Sequence, residues 1–217
     1  MKLAHPSLLI GAVLLLASSL FAQAPHLTPF SADMQTSSSQ ANPVNHDMSD
    51  KIYVSPEAMR MDTQGGRGAA NIITTFATQT VDIIMPQQQM YMEHRAGDNP
   101  MHRGPNTSDV HPYDPKNPCA GDPGSTCKNL GTETVNGRST DHWQVTHKDG
   151  NISDVWIDNS LHFPIKTVSG GTTWQLTNIK EGPQDPSLFQ VPSGYHKMDI
   201  TGMGAMGGMP GGRAPQQ

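Results

Sequence analysis

The clearest pattern along the chain is a series of short runs in which apolar and polar side chains alternate. In residues 80–85, for example, Val81, Ile83 and Met85 occupy every second position. A period of two residues is typical of a strand with one face in a core, and turn-forming residues separate the runs. The pattern predicts a meander of antiparallel strands, so we expect a mainly β fold with little helix.

These runs form two groups, and the second has the stronger turn signals. Asn136-Gly137 is the preferred two-residue hairpin turn because both residues tolerate positive φ, and Gly170-Gly171 occupies an equivalent place between later runs. The predicted strands are 30–34, 51–54, 58–62, 71–78, 80–85 and 90–94 in the first group, and 132–135, 139–147, 152–157, 163–168 and 173–179 in the second.

The segment between the two groups, Arg95–Lys128, does not share the pattern. It is rich in Pro, Gly, Asp, Asn and His and has almost no apolar residues, which predicts a long irregular loop. Residues 199–217 are rich in Gly, Met, Pro and Gln, a composition that predicts a disordered tail. We therefore expect a single antiparallel β domain over residues 25–198.

The first residues of the chain, Met1–Ala24, have a different organisation. Lys2 is followed by the apolar run Leu8–Leu16 and then by small residues. This layout predicts a cleaved secretory signal, cut after Ala22 or Ala24, because the apolar run is too short to span a bilayer. We expect an exported, soluble periplasmic protein with no membrane span after cleavage; an uncleaved anchor is the alternative. Since no cysteine lies near either cut, we expect no lipid anchor.

The two cysteines, Cys119 and Cys127, lie close together within the predicted loop. Outside the cytoplasm, an isolated nearby pair usually forms a disulfide. The spacing is not Cys-x-x-Cys, which disfavours a redox-active pair or a zinc site. We therefore predict a structural disulfide that closes a short part of the loop.

Charge and motif content exclude several classes of function. The formal net charge is −5 and Lys and Arg are not clustered, which argues against nucleic acid and anionic membrane surfaces as partners. The nucleophile elbow, the metalloprotease helix motif, the phosphate-binding loop and the dinucleotide fingerprint are missing from the sequence. Asp141 and His142 are adjacent on one predicted strand and therefore point to opposite faces. We predict a protein that is not an enzyme and needs no cofactor.

Methionines supply the candidate binding residues. Met is deformable and polarisable and recurs on surfaces that accept varied apolar partners, although ordinary core packing is the simpler interpretation of any one of them. Thioethers also suit Cu(I), so the regularly spaced tail residues Met203, Met206 and Met209 are metal candidates; a plain low-complexity tail is the alternative. The candidates on predicted strands are Met34, Met59, Met61, Met85, Met90 and Met92.

Longer segments carry a resemblance to known proteins. KIYVSPEAMRMD (51–62) and NIITTFATQTVDIIMPQQQMYME (71–93) are similar to the early strands of the periplasmic lipoprotein-carrier superfamily, which includes LolA, LolB and LppX. DVWIDNSLHFPIKTVSG (154–170) and WQLTNIKEGPQDPSLFQVPSGY (174–195) are similar to its closing strands. LGTETVNGRSTDHWQV (130–145) also resembles an uncharacterised exported bacterial family grouped near these carriers.

The resemblance implies a strongly curved antiparallel sheet, a half-barrel, whose apolar concave face holds acyl chains beneath helices that form a lid. In this sequence the lid would fall within Arg95–Lys128, which has no helical periodicity. Where the carriers place an arginine before the proline of the second strand, this chain has Ser55 before Pro56.

The expected function is a non-catalytic periplasmic binding protein for a lipid or another hydrophobic ligand, with an apolar segment of an envelope protein as another partner. One alternative is a structural or interaction protein of the cell envelope whose concave face is filled by side chains. Another is a copper-handling protein that uses the Met-rich tail and the histidines His94, His102 and His111.

Overall fold

The computed structural model describes residues 27–38, 49–65, 68–95, 116–120 and 122–198. Within these ranges, twelve strands form one sheet in the order β12-β6-β5-β4-β3-β2-β1-β11-β10-β9-β8-β7. The strands are β1 Phe30–Ser38, β2 Ser49–Val54, β3 Ala58–Gly65, β4 Gly68–Thr75, β5 Thr80–Met85, β6 Met90–Arg95, β7 Thr126–Val135, β8 Arg138–Thr146, β9 Ile152–Asp158, β10 Phe163–Ser169, β11 Thr172–Glu181 and β12 His196–Lys197.

Two meanders make up this sheet. The first runs from β1 to β6 and the second from β7 to β11, and the pairing of β1 with β11 joins them. Neighbouring strands are antiparallel, except that β12 lies parallel to β6. The predictions of a mainly β fold and of a curved antiparallel sheet are confirmed. No helix among the described residues is long and apolar enough to cross a membrane.

The hairpin turns follow the sequence signals closely. Asn136 has φ 52° and Gly137 φ 77°, while Gly170 and Gly171 have φ 56° and 79°. Positive φ at both central residues is what a type I′ turn requires. The hairpins β7–β8 and β10–β11 are therefore closed by the turns that the sequence predicts.

Several boundaries differ from the prediction, for identifiable reasons. β7 begins at Thr126 rather than near residue 132, inside the predicted loop, and nearly all its residues are exposed. An edge strand with two solvated faces needs no apolar alternation, so the pattern misses its first half. β1 extends to Ser38 and β12 is added; β12 has only two residues, both exposed, and leaves no signal. The predicted signal segment, its cleavage sites, the tail 199–217 and residues 96–115 of the loop lie outside the described residues.

The hydrophobic core lies on one face of the sheet, which we call the inner face and which carries Phe30, Val54 and Leu176. The sheet curls towards this face: the Asn136 side-chain amide, at the β7–β8 turn, donates to the Leu176 carbonyl oxygen on β11 over 3.0 Å. The buried members of this core are Leu27, Phe30, Ala32, Ile52, Val54, Met59, Val135, Trp156, Leu161, Phe163, Ile165 and Leu176.

The opposite, outer face is covered at both ends of the sheet. Over β3–β6, the chain after β11 forms a 3-10 turn at Pro186–Phe189, where the Arg60 guanidinium donates to the Leu188 carbonyl oxygen, and then pairs with the edge strand β6 through β12. The register places Ile73 and Ile84 on this outer face, and both are buried. The C-terminal segment thus covers the outer face of β3–β6.

At the other end, the disulfide between Cys119 and Cys127 packs against a small outer-face cluster of Val145, Val155 and Ile157. The predicted disulfide is confirmed. It ties the segment before β7 to β7 itself and packs against strands β8 and β9.

Replacing both cysteines by serine is expected to lower the free energy of unfolding by about 2–3 kcal/mol, because the cross-link closes a short loop in the unfolded chain. Urea unfolding followed by circular dichroism measures the change, with the reduced wild-type protein as a second comparison. An unfolding midpoint equal to that of the oxidised wild type would show that the cross-link does not stabilise the fold.

Candidate functional site

The six strand methionines singled out by the sequence lie on the inner face. Strand register decides this: Met61 pairs with Ile72, Ile72 with Ile83, and Ile83 with Met92. These residues form a row of apolar side chains across β3–β6. Met85 lies directly opposite Met90 at the end of the β5–β6 hairpin. Met59 lies two residues before Met61 on β3 and therefore shares its face. Met34 on β1 shares this face too, because Ala32, two residues before it, pairs with Ile52 and Ile52 pairs with Met61.

The inner face is packed in its centre and half-open towards β6. Phe30, Val54 and Leu176 have no exposed surface. Met59 is 3% exposed and belongs to the central core, and Met34 packs against that core. The remaining large apolar residues on the inner face of β3–β6 are only half-buried; we call them the methionine patch, and they are Met61, Ile72, Val81, Ile83, Met85, Met90 and Met92.

Two buried oxygens on the inner face lack hydrogen-bond partners in the described part of the chain. Asp50 is 6% exposed with one carboxylate oxygen unpaired, and the Thr74 hydroxyl is also buried and unpaired. Burial raises the pKa of Asp50, and a hydrogen bond from the Gln64 backbone N–H partly offsets the rise. Such groups can bond a polar atom of a ligand, but Asp50 and Thr74 lie near opposite ends of their strands.

A polar cluster, which the sequence analysis missed, occupies the inner face of β7–β10. The His142 ring stacks on Trp156 with centroids 4.2 Å apart. Its Nδ1 lies 2.9 Å from Glu133 Oε1 and its Nε2 lies 3.0 Å from Asp154 Oδ1. The Trp156 indole N–H donates to Glu133 over 2.8 Å, and the Lys166 ammonium lies 4.2 Å from the centre of the Trp156 ring.

The members of this cluster form hydrogen bonds with one another across neighbouring strands. The hydrogen bond from the Trp156 indole N–H has the largest effect in lowering the pKa of Glu133, and the hydrogen bond with His142 has the next largest. Asp141 bonds Thr132 instead of its sequence neighbour His142, which agrees with their expected opposite faces. Only cross-strand register brings Glu133, His142 and Asp154 together, so no local motif could have identified them. The arrangement is that of a structural polar network.

Two cavities lie at the end of the sheet formed by β8–β11, away from the methionine patch. The larger, about 340 Å³, is lined by polar side chains around Arg138 and Asp158. The smaller, about 160 Å³, adjoins Leu176 and Asn178. The apolar candidate site is therefore an open surface of the sheet, distinct from these two hollows.

The described residues contain no group of three or more His, Cys, Asp or Glu side chains arranged to hold a metal ion. The tail candidates Met203, Met206 and Met209 lie outside those residues. The strand methionines were predicted as apolar binding residues and not as metal ligands, and the structure gives their positions.

Solved structures with a similar fold have low sequence identity to this chain. An uncharacterised conserved protein from Thermus thermophilus matches with TM-score 0.51 and 10% identity, over 79% of this chain and 90% of that one. A chain of the Pseudomonas aeruginosa MucA/MucB complex matches with TM-score 0.46 and 17% identity, over 76% and 56%. A LolA superfamily protein from Nitrosomonas europaea matches with TM-score 0.36 and 9% identity, over 76% and 91%. The match to the Thermus protein concerns the fold alone.

Sequence comparison gives the family but no relative of known function. No curated protein matches the chain significantly. Residues 31–162, which are more than half of the chain, match the model of a family described as a domain of unknown function, DUF4412. The chain therefore belongs to the DUF4412 family, in agreement with the resemblance of its sequence to an uncharacterised family.

Proposed function

We propose that this protein is a non-catalytic binding protein for a long apolar ligand, such as a lipid acyl chain, held on the methionine patch. The observation that carries the proposal is the contrast along the inner face. The centre, around Phe30 and Leu176, is closed by its own side chains, whereas the patch over β3–β6 leaves its apolar side chains partly accessible to solvent. A contiguous apolar surface that stays partly accessible is characteristic of interaction sites.

The chemistry of the patch suits a ligand of variable shape. Met has three rotatable bonds and a polarisable sulfur, so Met61, Met85, Met90 and Met92 can adapt to a chain lying across the strands. Each methylene that the patch removes from water contributes about 0.8 kcal/mol, and roughly sixteen of them about 13 kcal/mol. Since association itself costs about 4–15 kcal/mol, long chains are favoured over short ones.

The sequence of Met1–Ala24 supports a place for this binding protein outside the cytoplasm. We infer that the segment is a cleaved export signal and that the mature chain is a soluble periplasmic protein. A diffusing protein with an apolar patch suits the transfer of a sparingly soluble ligand through an aqueous compartment.

A titration of the purified full chain with fluorescent fatty acids of increasing length tests the proposal. We expect saturable binding that strengthens with chain length. The double substitution Ile83→Gln with Met92→Gln is expected to weaken binding at least tenfold, because it places two amides in the middle of the patch. Ile152→Gln is the matched control: Ile152 is 53% exposed on β9, outside the patch, and its loss is expected to leave binding unchanged.

Two results would contradict this function. One is a wild-type protein that neither binds the fluorescent fatty acids nor carries any apolar molecule, by mass spectrometry, when purified from its native host. The other is equal loss of binding in the patch variant and in the Ile152 control. Circular dichroism of each variant confirms that the comparison is between folded proteins.

A second candidate, an envelope interaction protein without a small ligand, is favoured by the filled centre of the inner face. Leu27, Phe30, Leu161 and Phe163 are all nearly inaccessible there. If this second function is correct, the protein does not bind free fatty acids, so the same titration distinguishes the two functions.

A further inference from the structure

We propose that Met85, Met90 and Met92 form a binding site for Cu(I) on the inner face of the β5–β6 hairpin. This inference goes beyond the proposed apolar ligand, although both involve the same patch. It also differs from a metal site in the tail, because its residues come from paired strands.

Strand geometry brings the three sulfur atoms within reach of one point. Met85 and Met90 are directly opposite each other, and residues so paired have Cβ atoms about 4.5–5.5 Å apart. Met92 is two residues further along β6 on the same face, diagonal to Met85, at about 7–8 Å. The unbranched side chain of Met spans such gaps by rotation about its three bonds. Three thioethers can therefore converge above the end of the hairpin.

The donor set of this site is selective. Thioether sulfur is a soft, neutral ligand that suits Cu(I), whereas hard cations such as Mg²⁺ and Ca²⁺ need oxygen ligands. The inner positions of β5 are Val81, Ile83 and Met85, so no carboxylate of this strand faces the site. Asp82 and Glu93 are paired with each other on the outer face. The paired inner positions at this end of the hairpin, Met85 with Met90 and Ile83 with Met92, thus present sulfur and no carboxylate.

Burial at the hairpin fits a metal that exchanges with a partner or with solution. Met85, Met90 and Met92 are half-buried, so the sulfur atoms are neither sealed in the core nor fully solvated. The apolar neighbour Ile83, which is paired with Met92, limits the approach of water, and this favours a weakly hydrated monovalent ion. The edge of the same hairpin is covered by β12, which pairs with β6 at Met90 and Tyr91.

The test is an anaerobic Cu(I) titration of the full chain in competition with a chromogenic Cu(I) chelator. Every protein in this test carries Met203→Leu, Met206→Leu and Met209→Leu. These substitutions remove the sulfur atoms of the tail. We expect one Cu(I) per chain, and loss of that complex when Met85, Met90 and Met92 are all replaced by leucine. The matched control replaces the three other candidate strand methionines, Met34, Met59 and Met61, by leucine, and we expect it to retain Cu(I).

The leucine substitutions also separate this site from the proposed function. Leucine keeps the apolar surface and removes only the sulfur, so the hairpin variant is expected to lose Cu(I) and to keep fatty-acid binding. The proposal is overturned if the tail-substituted chain binds no Cu(I), if the hairpin variant still binds it, or if both leucine variants lose it equally. X-ray absorption of the tail-substituted Cu(I) complex gives a readout that needs no hairpin variant: sulfur in the first coordination shell supports the site, and a shell without sulfur refutes it.

Discussion

Replacing Arg138 by alanine is expected to lower the free energy of unfolding by about 3 kcal/mol, because it leaves a buried carboxylate without its counter-charge. Asp158 is 1% exposed and is bonded by Arg138 through two guanidinium nitrogens. The backbone N–H groups of Ser160 and Leu161 also donate to Asp158, over 2.8 and 2.9 Å. These two donors remain in the variant, which keeps the expected loss near the lower end of the range for broken buried pairs.

The pH dependence of this loss gives a sharper test. Burial by itself raises the pKa of Asp158, but the hydrogen bonds from Arg138, Leu161 and Ser160 outweigh it, so the pKa of Asp158 is lowered in the folded protein. A lowered pKa contributes stability above the unfolded value of about 3.9, and the contribution disappears as the pH falls through the folded value. Without Arg138 the carboxyl protonates more easily. The difference between variant and wild type is therefore expected to shrink as the pH falls through about 4 towards the lower pKa that Asp158 has in the folded wild type.

Urea unfolding at a series of pH values measures this effect, with Glu181→Gln as the matched control. Glu181 is the second partner of Arg138, at 2.6 Å, but 42% of its side chain is exposed. An exposed partner contributes about 1 kcal/mol or less. Equal and small losses for Arg138→Ala and Glu181→Gln would show that Asp158 does not depend on Arg138.

Local sequence signals account for most of the strands, because they report properties that each strand has by itself. Alternation locates β5 at Thr80–Met85, the bounds that the structure has, and Asn136-Gly137 sets the turn between β7 and β8. Where a strand has no buried face, as in the exposed first half of β7, the same signal is absent. The prediction is thus good where burial imposes a period and poor where it does not.

Contacts between distant strands could not be predicted in this way. The pairing of Phe30 with Glu181, which joins the two meanders, depends on the whole topology and has no counterpart in either strand's own pattern. The same holds for Arg138 and Asp158. Within β6, alternation shows that Met90 and Met92 lie on one face of the strand. Only the register between β5 and β6 shows that Met85 lies on that same face of the sheet. The candidate residues were accessible to sequence reasoning, whereas their arrangement required the structure.

Phe30→Ala is expected to be among the most destabilising single substitutions on the inner face, with a loss of about 3–5 kcal/mol. Phe30 has no exposed surface, and its ring packs edge-on against Phe163 with centroids 5.3 Å apart. The substitution removes the aromatic contact and leaves a cavity that the surrounding strands cannot easily close, since β1 is paired on both sides. Chemical unfolding of the purified variant measures the loss.

Met92→Ala, on the same face, is expected to cost only about 1 kcal/mol, because the side chain is already partly exposed before the change. Its effect should fall on fatty-acid binding instead, while Phe30→Ala, assayed under conditions in which it is folded, should bind normally. Equal destabilisation by the two substitutions would mean that the patch is part of the structural core. If the expected difference is found, two parts of one continuous sheet face have different roles. The inner face of β1, β2 and β11 stabilises the fold. The inner face of β3–β6 keeps apolar surface accessible for a ligand, because the stability of the protein does not depend on burying that surface.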